Sequence, residues 1–69
     1  MNKLTVSVNG EPRTIFAGAK VADILTAAKL DARTVLVELN ETVLQRHEYP
    51  LTVIKDGDKM EFIRVVAGG

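Results

Sequence analysis

A single stretch of helical period sits in a chain whose other apolar residues mostly alternate. Val21, Ile24, Leu25 and Ala28 recur at i, i+3, i+4 and i+7 within Lys20 to Lys29, which puts them on one helix face. Elsewhere the period is two. Leu4, Val6 and Val8 alternate with Thr5 and Ser7, and Val35, Val37 and Leu39 with Leu36 and Glu38, as strands with one buried face do. One apolar helix stripe covers one face of one sheet, so the pattern restricts the chain to a two-layer α+β domain. At 69 residues it is near the lower size for independent folding and has no room for a second domain.

The turn chemistry orders the elements. Asn9-Gly10, where both residues tolerate positive φ, predicts a hairpin; Glu11-Pro12 lengthens its loop, and Arg13 to Phe16 returns as the second strand with Ile15 or Phe16 toward the core. Ala17-Gly18-Ala19 ends that strand. The helix has Asp23 near its start and Lys29 near its end, which suits its dipole, but no Ser, Thr, Asp or Asn stands at the N-cap. Packing on the sheet must therefore carry it, with Leu30 as a last apolar contact. After the third strand, Asn40-Glu41 turns into the apolar pair Val43-Leu44. Gln45 to Pro50 reads as an irregular or helical turn with Tyr49 held extended by the following proline; Leu51, Val53 and Ile54 add core contacts. Lys55-Asp56-Gly57-Asp58 is a turn, and Met60 and Phe62 open the last strand. The run Phe62-Ile63-Arg64-Val65-Val66 is apolar on both sides. Two readings stand: a strand whose second face is covered only by a bound partner, or a central strand shielded by loops.

Composition removes several function classes. The hydrophobic fraction of 46% with only 4% aromatic residues implies a core of Val, Ile, Leu and Ala and argues against disorder. The absence of cysteine excludes a disulfide framework, a thiol nucleophile and a thiolate metal site within this chain. Nine Lys and Arg balance nine Asp and Glu, so no net basic field exists for nucleic acid or an anionic membrane. No apolar run approaches the roughly 18 residues that span a bilayer, no signal-peptide layout opens the chain, and a cytoplasmic protein is expected. His47, the only histidine, reads as a solvated loop residue. Asp56 and Asp58 are explained by their turn, and Glu38 and Glu41 by a solvated edge, better than as a cation site or an acid–base pair. No catalytic residue, metal site or bound cofactor is expected.

What remains is the ending, Val65-Val66-Ala67-Gly68-Gly69. Two glycines bring no side chain to a core and cost backbone entropy to order. They offer thinness: a segment without Cβ atoms enters a slot too narrow for side chains and carries the α-carboxylate of Gly69 away from the folded body. The alternative is a frayed terminus. The expected division is a folded domain over residues 1–66 and a flexible tail over 67–69. Arg64, beside the tail, either steers an acidic partner or is a plain surface charge.

The ordered set of motifs resembles the thiamine-biosynthesis sulfur carriers, the ThiS family of ubiquitin-like β-grasp proteins. It comprises Asn9-Gly10-Glu11, Val21-Ala22-Asp23-Ile24-Leu25, Val37-Glu38-Leu39-Asn40, Val43-Leu44-Gln45-Arg46, Asp56-Gly57-Asp58 and Val66-Ala67-Gly68-Gly69. Lys20, Gln45 and Ala67 depart from the residues common in the family (Thr, Pro and Gly). The resemblance implies a mixed sheet of four to five strands with one main helix across it, the first and last strands side by side. It implies a co-substrate rather than an enzyme. A ThiF-like adenylating enzyme would use ATP and magnesium to adenylate Gly69, with sulfur from a cysteine desulfurase replacing AMP. The resulting thiocarboxylate would supply sulfur to a ThiG-like thiazole synthase. Gly68 and Ala67 would form the tail, Ile63, Arg64 and Val65 a docking surface, and the free protein would be a monomer. Two alternatives share the fold: a MoaD-like carrier for molybdopterin synthase, and a ubiquitin-like protein modifier.

Overall fold

The computed structural model describes residues 2–65. Chain order is β1 (Lys3–Val8), β2 (Glu11–Phe16), α1 (Val21–Ala27), a 3-10 turn (Ala32–Thr34), β3 (Val35–Leu39), β4 (Thr42–Val43), a second 3-10 turn (Arg46–Glu48) and β5 (Lys59–Arg64). The five strands form one sheet in the order β2-β1-β5-β3-β4, with β1 and β5 parallel and the other pairs antiparallel. This is the β-grasp arrangement, with the first and last strands adjacent in the middle. The expected tail over 67–69, and Val66 at the end of the expected domain, lie outside the described residues.

Both tight hairpins turn through residues with positive φ. Asn9 (51°) and Gly10 (84°) join β1 to β2, and Asn40 (51°) and Glu41 (69°) join β3 to β4, the backbone that two-residue loops need to match strand twist. The first loop is therefore shorter than expected. Glu11 and Pro12 lie within β2, opposite Val8 and Ser7, where an edge strand accommodates a proline that lacks a donor.

The helix solves its missing N-cap through the segment that had no clear period. The N–H groups of Val21 and Ala22 donate to the carbonyls of Thr52 (3.0 Å) and Tyr49 (3.0 Å), and the Asp23 carboxylate accepts from the Lys20 N–H (2.9 Å). Tertiary acceptors thus satisfy the donors that a capping side chain would otherwise take. Tyr49 is not extended: its φ and ψ are −56° and −45°, in the α region. Its buried ring, its O–H donating to the Val35 carbonyl at 3.2 Å, and its carbonyl capping α1 outweigh the steric push of Pro50.

The core comprises Val6, Val21, Leu25, Val35, Val37, Tyr49, Ile54 and Met60. Ile24 and Leu30 pack against it half-buried, whereas Ala28 is exposed. Of the two candidates on β2, Ile15 faces in and Phe16 is 57% exposed, with the Lys3 ammonium 5.6 Å from its ring. Two expected core contacts fail: Leu51 is 72% exposed and Val53 46%. The turn through 49–52 leaves only Tyr49 and Ile54 directed inward, while Val53 forms an isolated bridge with Lys20.

The helix ends in a Schellman motif, with Lys29 N–H on Thr26 carbonyl (3.0 Å) and Leu30 N–H on Leu25 carbonyl (2.9 Å). Lys29 supplies the left-handed residue (φ 59°), a position that favours glycine. Lys29→Gly is expected to stabilise the protein by about 0.5–1 kcal/mol, seen as a higher urea midpoint with unchanged slope. Asp31 caps the first 3-10 turn and grips Arg33 at 2.8 Å. The Arg33 side chain, then its backbone N–H, hold the Asp31 carboxyl down from 3.8 to about 2. Folding favours the ionised form, so this contribution is complete above 3.8 and is lost as pH falls through about 2. An NMR titration of the Asp31 carboxyl carbon should show a midpoint near 2, moving back toward 3.8 in Arg33→Gln.

Candidate functional site

The last strand places the site. β5 lies between β1 and β3, and its antiparallel register with β3 pairs Leu39 with Met60, Val37 with Phe62 and Val35 with Arg64 on the helix side. The alternate pairs, Leu36 with Ile63 and Glu38 with Glu61, lie on the outer side, where no helix packs. Val43 of β4 is opposite Glu38 and extends that outer row. β5 is a central strand, as the second reading has it, but its outer face near the strand's end is open rather than shielded by loops: Ile63 is 42% exposed, and Val65 and Val43 about half.

The register splits the expected docking trio. Ile63 and Leu36 form an apolar pair on the outer face, and Val65 continues past the strand with its N–H on the Thr34 carbonyl at 2.9 Å. Arg64 belongs to the opposite side, across from Val35. Leu36 and Val43 join this surface beyond the expected trio. The available signal was Leu36, an apolar residue at an outward position of an otherwise alternating strand. Val65, Leu36 and Val43 also line a groove of about 500 Å³ together with Arg33 and Arg46. Ala67, Gly68 and Gly69, the expected tail and sulfur-bearing residue, lie outside the described residues.

Side chains with chemical potential elsewhere are engaged in structure or dispersed. Asp56 accepts the Thr5 N–H (2.8 Å); Asp58 accepts the Lys55 N–H (2.8 Å) and the Asn40 side-chain amide (3.0 Å). His47 is exposed on the second 3-10 turn. Among the described residues, no group of three His, Cys, Asp or Glu is placed to hold a metal ion. Glu38 and Glu41 join Lys59 and Glu61 around a shallow depression of about 100 Å³, too small for an ordinary ligand pocket. No helix among the described residues is long and apolar enough to cross a membrane.

An exposed apolar face adjoins Val65, on a fold that known proteins share. The crystal structure of the thiamine biosynthesis protein ThiS from Geobacter metallireducens superimposes with a TM-score of 0.83 at 39% identity, covering 96% of this chain and all of that one. A thiazole synthase of Paramagnetospirillum magneticum is 34% identical over 62 residues; these are 90% of this chain, which spans only 19% of that protein. An uncharacterized protein, ycf40, of Porphyra purpurea is 29% identical over 66 residues, 96% of this chain and 93% of the relative. The ThiS family matches residues 6–69, from inside β1 through both terminal glycines. With that match over nearly its whole length, on the sheet order its motifs imply, this chain belongs to the ThiS family.

Proposed function

We propose that this protein is the sulfur carrier for formation of the thiazole of thiamine, working through the α-carboxylate of Gly69. The observation that carries the reading is the family match through Gly68 and Gly69, on a domain whose central strand leads to them. A carboxylate is a poor electrophile because it would have to expel oxide or hydroxide. Adenylation by a ThiF-like enzyme, with ATP and magnesium bound by that enzyme, makes AMP the leaving group. A desulfurase draws sulfur from cysteine as a persulfide, whose terminal sulfur expels AMP from the Gly69 carbonyl carbon to give an acyl disulfide. A thiol then attacks that S–S bond, releasing the thiocarboxylate and leaving a disulfide behind. The terminal thiocarboxylate shares its charge between sulfur and oxygen and is a polarizable nucleophile. Thiazole synthase is its acceptor. The similarity of this chain to about a fifth of a protein named thiazole synthase supports that pairing.

The protein's own contribution is recognition and delivery. Ile63, Leu36, Val43 and Val65 supply an apolar contact beside the tail root, and the thin Gly68-Gly69 pair fits a confined adenylation site. Arg64, on the helix side of the sheet, is a secondary contact at most. The chain is a co-substrate: it supplies the acyl carbon and its partners supply the catalysis. The thiamine branch is preferred over the molybdopterin carriers and the protein modifiers because the matched family and the superimposed structure both bear the ThiS name.

Intact mass after incubation with the adenylating enzyme, ATP and a sulfur source should show one oxygen exchanged for sulfur. Deleting Gly69 should abolish acyl-adenylate formation with the fold intact, and retained ATP-dependent thiocarboxylation would sink the assignment. The docking face has its own test. Ile63→Asp should weaken binding of the adenylating enzyme by about 2 kcal/mol or more with an unaltered circular dichroism spectrum, since Ile63 is an exposed residue. Unchanged affinity would remove Ile63 from the contact.

A further inference from the structure

The outer sheet face has a direction as well as an apolar content. Nearest the tail root stand Val65 and the Leu36–Ile63 pair; one outward step back along β3 and β5, about 7 Å, stand Glu38 and Glu61 directly opposite each other. Val43 flanks Glu38 from β4, and Glu41 and Lys59 complete the rim of the depression there. Three carboxylates thus face one ammonium in a protein whose total charge is balanced. The side-chain ion pairs among the described residues, Arg13–Glu11 and Arg33–Asp31, leave all four of these groups out. Glu38 and Glu61 are half-buried, and like charges directly opposite across two strands work against the sheet.

We infer that this face is a polarised docking surface for a protein partner with an apolar patch beside its active-site entrance and an Arg or Lys cluster about 7 Å farther from it. The inference rests on the carrier reading and specifies the chemistry of the surface that binds the carrier. Apolar contact alone is non-directional and lets a domain rotate on its partner. An acidic pair on the side away from the tail removes that freedom, because only one orientation matches both the apolar and the charged halves. The same charges disfavour a second copy packed two-fold about this pair, which would set Glu38 and Glu61 against their own images. The depression is too shallow for a small ligand, and the carboxylates do not converge as metal ligands among the described residues.

The test uses the full chain and the ThiF-like adenylating enzyme, with association rate measured at low and high salt. For the double variant Glu38→Gln, Glu61→Gln, the low-salt association rate should fall roughly tenfold and lose most of its salt dependence, while the thermal midpoint rises. Glu11→Gln, which removes one carboxylate at the far sheet edge, should leave rate and salt dependence unchanged. Unchanged association of the double variant, or an equal loss in Glu11→Gln, overturns the inference. Acyl-adenylate formation at saturating carrier separates the two ideas. Normal adenylation with charge-insensitive docking rejects the polarised surface and keeps the carrier; salt-dependent docking without any adenylation does the reverse.

Discussion

Two antiparallel units, β1–β2 and β3–β4–β5, meet along one parallel seam, and every other feature of the fold depends on it. The seam has only two residue pairs in register, Ser7 with Lys59 and Val8 with Met60. Side chains lengthen it. The Asn9 Oδ1 accepts the Phe62 N–H at 2.8 Å while its own N–H donates to the Met60 carbonyl, so one turn residue grips β5 twice. At the other end, the Thr5 N–H donates to the Asp56 carboxylate and the Thr5 carbonyl accepts from Gly57, while the Ser7 N–H donates to the Asp58 carbonyl. Parallel pairing closes only after a long excursion of chain and repays that entropy late. Here the intervening helix and its capping segment supply Val21, Leu25 and Ile54 to the same buried cluster as Val6 of β1 and Met60 of β5, so the core joins the two strands of the seam.

The periodic parts of this fold were legible because period reports which face is buried. Val6, Val35, Val37, Val21, Leu25 and Met60 are core for the reason their spacing implies. The region from Gln45 to Ile54 was not legible. Its role is set by carbonyls, those of Tyr49 and Thr52, which carry no side-chain signature, and by a tyrosine whose hydroxyl partner, Val35, is fourteen residues away. Composition there misled: Leu51 and Val53 look like core and are exposed, flanking Thr52, whose carbonyl caps the helix. The Asp-Gly-Asp turn was correctly read as a turn, yet its carboxylates also fasten neighbouring strands, a long-range use that spacing does not reveal.

The face proposed for docking was half legible. Consecutive apolar residues in Phe62 to Val65 marked a strand with two apolar sides, and the structure shows which side is open. Leu36, Val43, Glu38 and Glu61 join that surface through register, a property of strand pairs that no single strand encodes. Arg64 illustrates the same limit in reverse. Adjacent in sequence to two outer-face residues, it falls on the other side of the sheet.

On the carrier reading, a tail that follows a central strand in sequence also bounds the way a partner can engage it. Val65 is fixed by its bond to Thr34, and four further residues reach at most about 14 Å even when fully extended. On the carrier reading, any enzyme acting on Gly69 must therefore approach to within that distance of Val65. The β2 edge lies two strands away from β5, and the groove beneath Ile15, Ile24 and Leu30 belongs to the helix side. The outer face of β3 and β5 adjoins the tail root directly and leaves apolar area open there. Short reach thus converts a general preference for apolar contact into a specific location, and a rigid central strand makes that location the same at each transfer. An edge strand, free to fray, would present the acyl carbon less reproducibly.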